Sequence, residues 1–308
     1  MAQKIIIDND PGHDDAINLL LALASDELEL LGITCVHGNV GLERTTINAL
    51  KMLELAGKTV PVYAGADRPL LRDPIHAESV HGKSGLEGPV LPDPTRALET
   101  ERAAEFIVRS VLEHPGEVTL VPTGPLTNIA LALRLEPKIA ALIPHIVLMG
   151  GSTDFGNFSP AAEFNILADP HAAAIVFSSG VPITMFGLNV THQVLATPER
   201  VEKFRRLESR VGDVVVSLLE FFKLSYEKRY DFAGPALHDP CTVAYLLRPE
   251  LFKVREMNVE IELGAGPSFG RTVCDVWNVT GKVKNARVAL TADADGVFEL
   301  LLERVGRY

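Results

Sequence analysis

Residues Lys4–Ser25 read KIIIDNDPGHDDAINLLLALAS, and the fold is decided in that stretch. Lys4–Asp8 is a short β-branched run, NDPGH is turn chemistry, and from Asp14 to about Ser25 apolar residues fall at Ile17, Leu20, Leu21 and Ala24. The period thus switches from strand to helix across one turn. The same alternation recurs downstream. LELLGITCV precedes a helical pattern from about Leu42 to Ala56, VPVYA precedes a long loop and a helical pattern from about Glu99 to Glu113, and VTLVP precedes PLTNIALALRL. HIVLM and VPITMF read as further strands. Strands apolar on both faces and separated by amphipathic helices predict an α/β domain with a mostly parallel sheet covered on both sides.

After about Val194 the pattern changes to two polar-faced helical stretches reaching Tyr230. Three β-like segments follow, near Phe252–Leu263, Arg271–Val276 and Val283–Thr291. No Ser/Pro/Gly-rich linker interrupts the chain, which predicts one domain over residues 1–308 with a Rossmann-like central sheet. In such sheets ligands bind beyond the carboxyl ends of the strands.

Lys+Arg 29 against Asp+Glu 40 gives a net charge of -11, with no basic cluster. That balance argues against nucleic acid and anionic membrane as partners. The three cysteines, Cys35, Cys241 and Cys274, are far apart and fit neither a disulfide framework nor a CxxC zinc site. Together with an N-terminus whose apolar run is too short for a signal peptide, they predict a soluble cytoplasmic protein.

Asp8, Asp10, Asp14 and Asp15 crowd the end of the first strand, and no Lys or Arg lies between Lys4 and Arg44. Asp14 and Asp15 could simply favour the first turn of a helix, with Asp8 and Asp10 edging a turn. A turn needs one aspartate, however, and four converging carboxylates repel one another unless a cation or protons compensate them. Oxygen donors without His or Cys select Mg²⁺ or Ca²⁺ over zinc. Asp239, in ALHDPCTVAYLL, is either a helix N-cap or a further contributor; Thr123 and Gly124, in VPTGPLTN, sit where a strand end meets a helix start.

Two loops stand out: Pro69–Arg96, rich in proline and glycine and without helical or strand period, and Gly150–Pro160. Long loops inside compact domains are often functional.

Five blocks, DNDPGHDDA (Asp8–Ala16), VPTGPLTN (Val121–Asn128), MGG (Met149–Gly151), GNFSPAAEFN (Gly156–Asn165) and HDP (His238–Pro240), occur in this order over most of the chain. Together they resemble the inosine–uridine nucleoside hydrolase family. The resemblance implies a calcium-dependent N-ribohydrolase with the nucleoside hydrolase fold, assembled as a homotetramer or homodimer. It implies Asp10, Asp15, Asp239 and the Thr123 carbonyl as Ca²⁺ ligands, and Asp10 as the general base toward a metal-held water. Asp14, Asn39, Asn157, Glu163 and Asn165 match the positions that hold the ribose hydroxyls, and Met149 the one against the sugar. His81, Phe164, Tyr226, Tyr230 and His238 would surround the base. Asn9 and His13 depart from the family's usual first motif, which touches only the local shape of the turn.

The chemistry asks for such groups. Breaking an N-glycosidic bond passes through an oxocarbenium-like centre, so developing positive charge, an attacking water and a departing base each need a partner. His238 is read as the acid that protonates the base, against the alternative of a structural histidine at a helix start. His81 is read as a catalytic residue in a lid over the base, and as the other candidate proton donor for pyrimidines, against a mobile solvated loop. Tyr226 and Tyr230, four apart on a presumed helix face, and Phe164 and Met149 could equally be core. The purine-specific branch stacks its base between tryptophans, whereas this chain has only Trp277, expected in a late strand with a core role. The presence of both histidines also fits poorly with the branch that uses a base-side cysteine. What remains is a broad or pyrimidine-leaning base preference. Two other readings stay open: a magnesium phosphohydrolase of the haloacid-dehalogenase type, which also starts with DxD, and a calcium-dependent ribose- or nucleoside-binding protein without catalysis.

Overall fold

The computed structural model describes residues 2–308. Ten strands are present among them: β1 (Gln3–Asn9), β2 (Leu28–Cys35), β3 (Val62–Ala64), β4 (Thr119–Pro122), β5 (Ile146–Met149), β6 (Ile183–Phe186), β7 (Phe252–Met257), β8 (Val259–Ile261), β9 (Thr272–Cys274) and β10 (Ala286–Ala292). Eight of them form one sheet in the order β3-β2-β1-β4-β5-β6-β10-β7. All neighbours in it are parallel except β10 and β7 at one edge. The strand order reverses direction between β1 and β4, so their carboxyl ends open onto a crevice that no crossover helix covers. Asp8 and Asp10 leave β1 there, and Thr123 leaves β4; the Thr123 N–H donates to the Asp8 carbonyl at 2.8 Å.

Ile5, Ile6 and Ile7 are fully buried, which places β1 in the middle of a sheet covered on both faces. Odd and even residues feed two separate cores: Ile5 and Ile7 pack with the first helix, His13–Leu23, while Ile6 packs with the layer on the other face. Close approach to β2 depends on Gly32. A methyl group built there would lie 2.5 Å from the Phe106 ring, itself stacked on Tyr63 with centroids 3.8 Å apart.

Residues near the C-terminus clasp the first helix. Arg304, buried to 2% exposure, reaches the two carboxylate oxygens of Glu27 at 2.9 and 2.6 Å. Arg307 donates to the Ala24 carbonyl at 2.9 Å, and the Tyr308 hydroxyl donates to the Leu20 carbonyl at 2.7 Å.

The elements match the expectations with four differences. The third helical pattern begins at Ala103 and not near Glu99, because Glu99 donates its N–H to Val62 and extends the edge of β3. The three late β segments resolve into four strands, with β8 and β9 paired apart from the main sheet. The Pro69–Arg96 loop contains one helical turn, Glu78–His81. Trp277 lies in no strand and in no core. It is 83% exposed, because the Asp275 carboxylate accepts the Val279 and Thr280 N–H groups and folds residues 275–280 into a surface turn.

Gly32→Ala is expected to lower the melting temperature by several degrees, an overpacking cost of about 1–3 kcal/mol. Thermal denaturation followed by circular dichroism checks this, and an unchanged midpoint would mean that Phe106 yields freely.

Candidate active site

Asp10, Asp14, Asp15 and Asp239 meet at the crevice and are all between 1% and 4% exposed. Carboxylate oxygens of Asp14, Asp15 and Asp239 lie within 4.8 Å of one another. Asp10 stands just outside that trio. Its Oδ2 accepts the Asn39 N–H at 2.6 Å, while its Oδ1 is buried without a partner. Gly38 and Gly124 allow this: a methyl group at either would collide with the Asp10 carboxylate. Asp15 accepts the Gly12 N–H at 3.0 Å and the Thr123 hydroxyl at 2.8 Å, so the helix-start role foreseen for it is real but accounts for only part of its carboxylate. Asp239 occupies an N-cap position, yet its side chain makes no cap bond; it turns to the cluster instead.

With no cationic side chain among them, these acids hold their protons more strongly than usual. Burial is the first cause for each, followed by the neighbouring aspartates for Asp10, Asp14 and Asp239. Asp14 is pushed up to about 7. A bound cation would reverse that bias. The donor set of buried carboxylates, with the unpaired Asp10 Oδ1 beside it, fits a hard divalent metal. The Thr123 carbonyl accepts from the Asn165 amide at 2.8 Å and could be a further oxygen donor.

Above this cluster lies an open cavity. At its anionic end the side chains are held by backbone bonds. Glu163 caps the short helix Phe164–Ala168, accepting the Asn165, Ile166 and Gly151 N–H groups at 2.9, 3.2 and 2.8 Å. Burial nonetheless raises its pKa to about 7. Asn157 accepts the Phe164 N–H at 2.9 Å, and the Asn39 amide donates to Asp15 at 3.2 Å. Met149 lines the same end, its carbonyl 3.2 Å from the Asn165 amide nitrogen. Among the described residues, Asn39 Oδ1, Asn165 Oδ1 and Asn157 Nδ2 are left without protein partners.

The opposite end is aromatic. Phe164, Tyr226, Tyr230, His81 and His238 line the cavity, and none is sealed in the core away from it. Tyr226 sits in the helix Arg210–Arg229, whereas Tyr230 is the first residue past it. His238 is gripped at both nitrogens: Thr191 Oγ1 lies 2.8 Å from Nδ1, and the Tyr226 hydroxyl 2.6 Å from Nε2. Its burial depresses its pKa well below the usual histidine value. His81 is not in a solvated loop. It ends the Glu78–His81 turn, 6% exposed, and burial depresses its pKa too.

Sequence reading missed Phe222, Thr191 and His13. Phe222 is legible as the residue four before Tyr226 on one helix face. Thr191 carries no signal in its neighbourhood. His13, set aside as a detail of the turn, is buried against Phe221, Phe222 and His81.

The sequence model of the inosine-uridine preferring nucleoside hydrolase family matches residues 5–299. The chain belongs to that family. This nucleoside hydrolase is 44% identical over 306 residues to the pyrimidine-specific ribonucleoside hydrolase RihB of Escherichia coli, covering 99% of this chain and 98% of the relative. Among solved structures it superposes on a purine-preferring ribonucleoside hydrolase from Gardnerella vaginalis with a TM-score of 0.93 at 37% identity, covering 99% of this chain and 98% of that one. A plant nucleoside hydrolase gives 0.92 at 36% identity, with all of both chains covered. The hydrolase is therefore an enzyme acting on N-glycosyl bonds of ribonucleosides. Among its described residues no helix is long and apolar enough to cross a membrane.

Gly38→Ala should displace the Asp10 carboxylate and reduce ribonucleoside turnover by about 100-fold or more, in line with the cost of misplacing a reacting group by about 1 Å. Steady-state kinetics with a circular dichroism control decides it, and wild-type turnover in the variant would remove Asp10 from the machinery.

Proposed function

We propose that this nucleoside hydrolase is a calcium-dependent N-ribohydrolase with a broad or pyrimidine-leaning base preference. Asp10, Asp15, Asp239 and the Thr123 carbonyl would hold the ion, and Asp14, Asn39, Asn157, Glu163, Asn165 and Met149 the ribose. One observation carries the reading: a cluster of buried carboxylates without a counter-charge forms the floor of a cavity whose other end is aromatic and imidazole-lined. When bound, the cation would acidify water and take up ribose hydroxyl oxygens as ligands.

The chain's own groups supply the rest. Asn39 Oδ1 and Asn165 Oδ1 accept from ribose hydroxyls, and Asn157 Nδ2 donates to one. Asp10, with Oδ1 unpaired, takes the proton of the attacking water. The carboxylate-rich floor suits a cationic ribosyl centre better than a neutral sugar, and that difference accelerates the reaction. At the base end His238 is the proton donor, and its Nε2 contact with Tyr226 makes the tyrosine hydroxyl the natural bridge to the leaving base. The base preference is supported by a base end without tryptophan, since Trp277 projects into solvent. A cytoplasmic location and assembly as a homodimer or homotetramer belong to the same reading.

Elemental analysis of the purified hydrolase should find stoichiometric calcium; zinc in its place, without calcium or magnesium, would refute the hard-metal assignment. For the acid, two substrates separate leaving-group help from sugar chemistry. His238→Ala should lower inosine turnover by about 10²–10⁴-fold, yet retain much of its activity on 4-nitrophenyl riboside, whose phenolate departs unaided. A proportional loss on both would mean that the imidazole serves the neighbouring Asp239. Neither ribose nor phenolate released by the wild-type enzyme would sink the whole proposal.

A further inference from the structure

His13 and His81 face each other with their Nδ1 atoms 3.0 Å apart. Both rings are buried, and both pack on Phe222 at centroid distances of 5.3 and 5.2 Å. Who donates across that contact is fixed by what lies at its far end. His13 Nε2 is 2.8 Å from the Glu87 carbonyl, which can only accept, so Nε2 carries the His13 proton. Neither ring has a carboxylate oxygen within hydrogen-bond distance among the described residues, and a neutral imidazole has one proton to place. His13 Nδ1 is therefore a lone pair.

The remaining choice is at His81. If its proton were on Nε2, two Nδ1 lone pairs would oppose each other at 3.0 Å. That arrangement would let His81 Nδ1 accept the His13 backbone N–H, 3.2 Å away, but this donor belongs to the first turn of a helix, where N–H groups lack intrahelical partners anyway. With the proton on His81 Nδ1, the shorter contact becomes a hydrogen bond, and the longer one from the backbone N–H, a donor without an intrahelical partner in either case, is given up.

We propose that His13 is a positioning residue that holds His81 as its Nδ1–H tautomer, so that His81 Nε2 offers a lone pair to the base end of the cavity and accepts an N–H from the nucleobase edge. His81 then selects and does not protonate. It favours bases with a ring N–H, such as N3–H of uracil or N1–H of hypoxanthine, and disfavours rings that present a lone pair there. A site built to pair a polar group rejects analogues lacking it more strongly than an apolar pocket rejects a changed shape. The selectivity half of the proposal rests on the ribonucleoside reading given above; the tautomer does not.

Neutron diffraction from perdeuterated crystals of the wild-type holoenzyme reads the tautomer directly. Deuterium on His81 Nδ1 and none on Nε2 is expected, and deuterium on Nε2 overturns the proposal. Independently, His13→Leu removes the acceptor and frees His81 Nδ1 to accept the residue 13 backbone N–H, moving the proton to Nε2. The readout is kcat/KM for uridine divided by that for 2-pyrimidinone ribonucleoside, which lacks the N3–H. That ratio should fall by about tenfold or more relative to wild type. An equal loss on both substrates, leaving the ratio unchanged, would make His13 a packing residue only and refute its role. Should wild type hydrolyse neither nucleoside, it is the proposed activity that fails, and the neutron map still decides the tautomer.

Discussion

Repulsion among buried carboxylates is the constraint around which this hydrolase is built. Two like charges about 4 Å apart oppose each other by about 4 kcal/mol at an effective dielectric near 20, and here four buried aspartates share one crevice. Among the described residues no lysine or arginine relieves them. The surrounding structure holds the carboxylates in place: Gly38 and Gly124 leave room for Asp10, the Asn39 N–H and amide pin Asp10 and Asp15, and the Thr123 hydroxyl fixes Asp15. Such an arrangement persists only because the central parallel sheet over-determines it, with β1 locked between β2 and β4.

The cavity above divides its labour by charge. At one end acids and amides are immobilised by backbone donors, so their remaining lone pairs and N–H groups point at fixed places. At the other, imidazoles and hydroxyls stand among aromatic rings. A substrate polar and cation-like at one end and flat at the other matches both halves. Binding strength alone would not need this asymmetry; a reaction that develops charge at the sugar does.

The α/β class, the parallel sheet and the location of the site were legible because hydrophobic period and carboxylate crowding are local signals. Every residue expected at the sugar or the base does line the one cavity, with Asp10 and Asp15 beneath it. Long-range pairings had no local signature. Thr191 reaches His238 across 47 residues, and nothing near either predicts it. Trp277 misled because its apolar character argued for burial, whereas the Asp275 turn decides its place. His13 was visible as a departure from a motif, but its meaning depends on Glu87 and His81, which only the fold brings to it.

The clasp of Arg304, Arg307 and Tyr308 on the first helix joins residues 277 to 288 positions apart in sequence. During synthesis the helix emerges early, while the partners that hold its C-terminal end follow only when nearly the whole chain is made. The contacts that close this face of the fold are therefore non-local ones, which must overcome loop-closure entropy before they form.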